Sequence, residues 1–63
     1  MCLSTAYQTT ADGEQRLLCE HVCHLRIEGN TISLVDLLGN NVTVAGVLHD
    51  VDLLQNIITI HQQ

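Results

Sequence analysis

Apolar and polar residues alternate along most of this chain, and glycine breaks the alternation at intervals. Val22 to Glu28 is the clearest run. Cys23, Leu25 and Ile27 fall on one side and His24, Arg26 and Glu28 on the other, the period-two pattern of a half-buried strand. Gly29-Asn30 then marks a tight hairpin, and Thr31 to Asp36 returns with Ile32 and Leu34 inward. Asn41 to Ala45 follows Gly39-Asn40, with Val42 and Val44 inward. An earlier strand runs from Cys2 to Gln8, with Leu3, Thr5 and Tyr7 on one face, and it closes on the Asp12-Gly13 turn. Ile57 to His61 is the last strand. Two stretches are open at this level. Glu14 to His21 has room for one helical turn. Gly46 to Gln55 suits either a strand or a short helix, since Val47, Leu48, Val51 and Leu54 fit a helical stripe. Taken as strand-like or irregular, both complete an all-β chain of five to six short antiparallel strands. Strands at this spacing make one small barrel spanning residues 1–63.

Composition sharpens the picture. There is no Trp, no Phe and a single Tyr, so the core must be built from Leu, Val and Ile. Sixty-three residues support one small core, marginal for a monomer, and chains of this size usually gain stability from a metal, disulfides or a second subunit. Net charge is −5, with Arg16 and Arg26 as the only Lys or Arg. Nucleic-acid affinity comes largely from cations neutralising phosphates, so this balance argues against nucleic acid and against anionic membrane surfaces. No apolar run reaches the ~20 residues of a membrane span, and no signal peptide is visible. The expectation is a cytoplasmic protein with reduced thiols.

The chemistry-bearing residues are few. Cys2 stands first. Removal of Met1 would leave Cys2 with a free α-amine beside its thiol, both groups deprotonating readily in competition with a metal. Amine nitrogen, thiolate and a deprotonated backbone amide offer the tetragonal donor set that suits Ni²⁺ or Cu²⁺. Two such termini meeting at a dimer axis would share one ion. The structural alternative is a small apolar residue at a strand start. A second cluster is Cys19-x-His21-x-Cys23-His24. Its residue types suit zinc, but its spacing is wrong for a structural finger. On a straight strand Cys19, His21 and Cys23 would stand about 6.5 Å apart in a row. The structural alternative puts Cys23 in the core and His21 and His24 in water. His49, beside Asp50, and His61 are weaker candidates. Ser4 and Ser33 lack a local histidine and acid, no phosphate-binding glycine loop is present, and a non-enzyme is expected.

Across nearly its whole length the chain resembles the CooT family of small accessory proteins linked to nickel delivery for carbon monoxide dehydrogenase. The resemblance runs through Met1-Cys2-Leu3, the Asp12-Gly13 turn, Leu25-x-Ile27-Glu28-Gly29-Asn30-x-Ile32-x-Leu34, Asp36-Leu37-Leu38-Gly39, Val44-x-Gly46-Val47, Val51-Asp52-Leu53 and Asn56-x-Ile58. It implies an SH3-like or Sm-like barrel, a homodimer, and Ni²⁺ held through the second-position cysteine, here Cys2. The partner it implies is a nickel enzyme such as carbon monoxide dehydrogenase, or another accessory protein. The Cys19–His24 cluster has no place in that pattern. Two other readings stand beside it: an RNA-binding Sm-like barrel, which the charge opposes, and a protein-interaction module without metal.

Overall fold

The computed structural model describes residues 3–63. Five strands follow one another: β1 (Ser4–Thr9), β2 (Gln15–Glu28), β3 (Thr31–Asp36), β4 (Asn41–Asp52) and β5 (Ile57–Gln62). Each pairs antiparallel with the next. β1 and β5 pair parallel and close the barrel. The parallel closure follows from the count. In a meander of alternating direction the first and fifth strands point the same way. Both open stretches resolve as strand: Glu14–His21 supplies the first half of β2, and Gly46–Gln55 the second half of β4 and the turn after it.

β2 and β4 are long because each serves two neighbours. At 3.3 Å per residue, the 14 residues of β2 would span about 43 Å if straight. The molecule's longest dimension is 33 Å, so β2 must bend. It bends at His21, whose φ of 58° is in the left-handed region. That conformation is uncommon for a side chain with a Cβ and marks local strain. Residues before the bend pair with β1, Val22 just after it pairs with both β1 and β3, and the rest of β2 pairs with β3. β4 likewise pairs first with β3 and then with β5. Its bend is at Gly46, where a Cβ would sit 2.6 Å from the His61 carbonyl oxygen.

The core is aliphatic, as the composition required. Ala6, Ile32, Leu34 and Ile60 have no exposed surface, and Cys19, Val22 and Ile58 are nearly as buried. Leu18, Leu25, Val42, Val44 and Leu48 pack around them. Strand alternation put Ile32 and Leu34 inward correctly. It also put Cys23 and Ile27 inward, and both are exposed. A bulge explains Cys23: Val22 pairs with Asp36 and His24 with Val35, so Cys23 is the unmatched residue and the facing changes there. Ile27, close to the β2–β3 hairpin tip, is half exposed although it pairs with the fully buried Ile32. Gly29 opens that hairpin with a φ of 58°, while Asn30 is not in the positive region, the pattern of a type II′ turn.

Candidate metal centre

Cys2, the expected metal ligand, lies outside the described residues. The ground next to it is well defined, because the start of β1 is held from two sides. Ser4 pairs with Val22 of β2, and Thr5 pairs with Ile57 of β5. The Thr5 amide also donates to the Asn56 carbonyl at 2.9 Å. Ser4 lines an open groove of about 330 Å³ together with Val22, Cys23, His24, Leu25, Val51, Leu53 and Ile58.

The Cys19–His24 cluster does not form one site. Cys19 turns into the core, and its thiol lies 3.6 Å from the Glu20 carbonyl. Burial pushes its pKa up, and the negative charges of Asp36, Cys23 and Glu20 add to the shift. The left-handed kink at His21 re-phases the strand, so that Cys19 and Val22, three residues apart, both point inward. Cys23 is exposed, its thiol directed at the carbonyls of Val35 (3.5 Å) and Asp36 (3.4 Å). His21 sits with Cys19, Glu20, Asp36 and Val42 at a different opening, of about 500 Å³. Among the described residues no three His, Cys, Asp or Glu side chains are grouped so as to hold a metal ion.

This split gives a direct expectation for thiol chemistry. In a Cys2→Ser protein, Cys23 should react with an aromatic disulfide reagent in a fast phase. Cys19 should follow slowly, because it is buried and its thiolate is disfavoured. A stopped-flow record with two equal rates would contradict the burial of Cys19.

Asp36 and Asp52 hold turns. The Asp36 carboxylate accepts from the amides of Leu38 and Asn40, both at 2.9 Å, and from the Asn40 side chain at 3.1 Å. These hydrogen bonds, that of the Asn40 side chain foremost, hold its pKa below the ordinary carboxylate value. Asp52 accepts from the amides of Leu54 and Gln55 at 3.0 and 2.9 Å. The chain signals this by repetition: Asp-Leu-Leu occurs at both places, and Asp is the residue that caps its own turn two positions on. Both turns leave their leucines in water, with Leu38 86% and Leu54 91% exposed.

Sequence reasoning treated His49 and His61 singly, and the fold stacks them, with ring centroids 3.8 Å apart and planes 16° from parallel. A bulge between Leu48 and Asp50 brings His49 to this position, which strand alternation alone does not reveal. Ring nitrogens of face-stacked imidazoles lie in parallel planes and do not converge on one ion.

The fold and the groove together define a small closed all-β barrel with sulfur and imidazole donors beside the root of its first strand. No helix among the described residues is long and apolar enough to cross a membrane. The sequence matches the CooT family, described as CO dehydrogenase accessory protein CooT, over residues 1–61, and the chain belongs to that family. Its fold is similar to a crystal structure assigned to CooT of Carboxydothermus hydrogenoformans, at a TM-score of 0.86 and 18% identity, covering 98% of each chain. No curated protein matches. The family is one of accessory proteins rather than of catalysts.

Proposed function

We propose that this chain is a nickel-binding accessory protein that carries Ni²⁺ as cargo through Cys2, as a homodimer, for maturation of carbon monoxide dehydrogenase or another nickel enzyme. The observation that carries this reading is membership of the CooT family over residues 1–61, a span that includes the Met1-Cys2 start. The donor chemistry fits. With Met1 removed, Cys2 presents an amine and a thiolate on one residue, a bidentate chelate for a divalent ion of intermediate softness. The groove that Ser4 lines carries a thiol, an imidazole and an apolar wall, and no Lys or Arg is among its lining residues. The net charge of −5 favours cation capture.

The homodimer has support in the surface. Leu17, Ile27, Leu37, Leu38, Val47, Val51, Leu53 and Leu54 are large apolar side chains left in water, a heavy load for a chain of this size. A second subunit is one of the ways a barrel this small reaches adequate stability. Light scattering on the untagged protein should give the mass of two chains.

Titration of untagged protein with Ni²⁺ tests the metal assignment. Binding should be accompanied by thiolate-to-nickel charge-transfer absorption and should vanish in Cys2→Ser. An N-terminal extension should weaken it by displacing the α-amine. Intact-mass measurement should show Met1 absent. Nickel binding that survives in Cys2→Ser would defeat the reading.

A further inference from the structure

We propose that the opening at the kink of β2 is a docking site for another protein, and that it takes a segment bearing an arginine or lysine side chain flanked by apolar residues. The opening holds about 500 Å³. Part of its lining is apolar: Leu18 and Val42, half-buried against the core, and the buried Cys19. The rest carries two carboxylates from different strands, Glu20 of β2 and Asp36 at the end of β3. An aliphatic stem ending in a cation matches this lining, since Lys and Arg lay their methylenes along apolar surface and keep the charge at the polar end.

The two carboxylates act on the same place. Besides burial, the charges of Asp36, Cys23 and Glu20 push the pKa of the Cys19 thiol up, so the field of both acids reaches the lining between them. A field that disfavours a thiolate favours a cation. Asp36 is fixed by the amides of Leu38 and Asn40 and by the Asn40 side chain, and these three donors leave about one of its four lone-pair positions for an incoming group. No Lys or Arg is in the lining. Leu17 and Arg16 pair with the consecutive residues Tyr7 and Gln8 without a bulge between them. They therefore point to opposite faces, and Arg16 turns away from the opening that Leu17 lines. Arg26 lies in the half of β2 beyond the kink, paired with Ser33.

The apolar rim makes the occupant a protein segment rather than a free organic cation. The Leu37 amide donates to the His21 carbonyl at 3.0 Å, which fastens the turn after β3 to the edge of the opening. Leu17, Leu37 and Leu38 are 53%, 57% and 86% exposed there. A cation alone leaves these three side chains in water, whereas apolar residues beside the cation cover them. A second copy of this chain is a poor occupant, because it offers two Lys or Arg against seven acids. Ile27, Val47, Val51, Leu53 and Leu54 stay available to the homodimer. The inference uses described residues alone and stands apart from the Cys2 reading.

A nitrogen-15 NMR titration of untagged protein at pH 8 tests this, with a capped five-residue peptide carrying one arginine between two leucines as the probe. The amides of Glu20, His21, Leu37 and Leu38 should shift, and the affinity should fall as salt rises. Glu20→Gln should weaken binding about two- to fivefold, the worth of an exposed ion pair. Leu38→Ala should weaken it about threefold or more, and replacing both peptide leucines with serine about tenfold or more. Both protein variants should melt with wild type, because Glu20 and Leu38 are exposed. Equal affinity for a peptide with glutamate in place of arginine would overturn the inference, as would shifts confined to another face. So would n-butylguanidinium binding as tightly as the peptide, which would make the opening a small-cation site with no part for the leucines.

Discussion

Leu34→Ala should destabilise the barrel by about 2–5 kcal/mol, the range for truncating a fully buried leucine. Leu34 has no exposed surface and lies in the middle of β3, paired with Leu25 on one side and Val42 on the other. The barrel has few residues to close over the resulting hole, because seven hydrophobic side chains among the described residues form its buried centre. A domain of this length has roughly 3–9 kcal/mol of stability in total. The variant should therefore melt at least about 8 °C below wild type, at the 4–8 °C per kcal/mol expected for a small domain. The comparison requires equal chain concentration, since dimerisation would contribute to apparent stability. Leu38→Ala is the matched control. Its side chain is 86% exposed, and its effect should be within about 0.5 kcal/mol. A melting temperature for Leu34→Ala equal to that of the control would contradict the core assigned here.

Gly46→Ala should cost about 1–3 kcal/mol, although alanine is the smallest possible addition. The new Cβ would meet the His61 carbonyl oxygen at 2.6 Å and the Ile60 Cγ2 at 2.9 Å. The first of these is backbone and has no rotamer through which to escape, so β4 and β5 must separate where β4 bends. The Gly46 amide also donates to the Asn30 carbonyl at 2.8 Å, which ties the bend to the β2–β3 hairpin. A urea midpoint would register the loss, and faster amide exchange along β4–β5 would locate it. A midpoint unchanged from wild type would show that the strands approach less closely than described.

The elements of the fold were legible wherever strands are flat. Ile32 and Leu34 occupy alternate positions in a short strand between two turn signals, and their burial follows from the pleat. The same arithmetic failed at Cys23, because a bulge adds one residue to β2 and resets which side faces in. It also underestimated β2 and β4. Their bends lie at His21 and Gly46, and a histidine in the left-handed region has no compositional signature. The chelate expected at Cys2 rests on residue type and position alone, and Cys2 lies outside the described residues. Which β2 residues face the root of β1 is set by two irregularities, the kink at His21 and the bulge at Cys23, and neither can be inferred from spacing. The stacked His49 and His61 escaped for the same reason, through the bulge at His49.

Parallel closure has a practical consequence for handling the protein. Because β5 runs in the same direction as β1, the chain leaves the barrel after Gln62 about 17 Å along the strand axis from the level at which β1 begins. An antiparallel closure would have returned the tail beside the first strand. A surface tether or dye attached after Gln63 therefore points away from the groove, and immobilisation through that end leaves the donor-bearing face open to incoming ions and docking proteins.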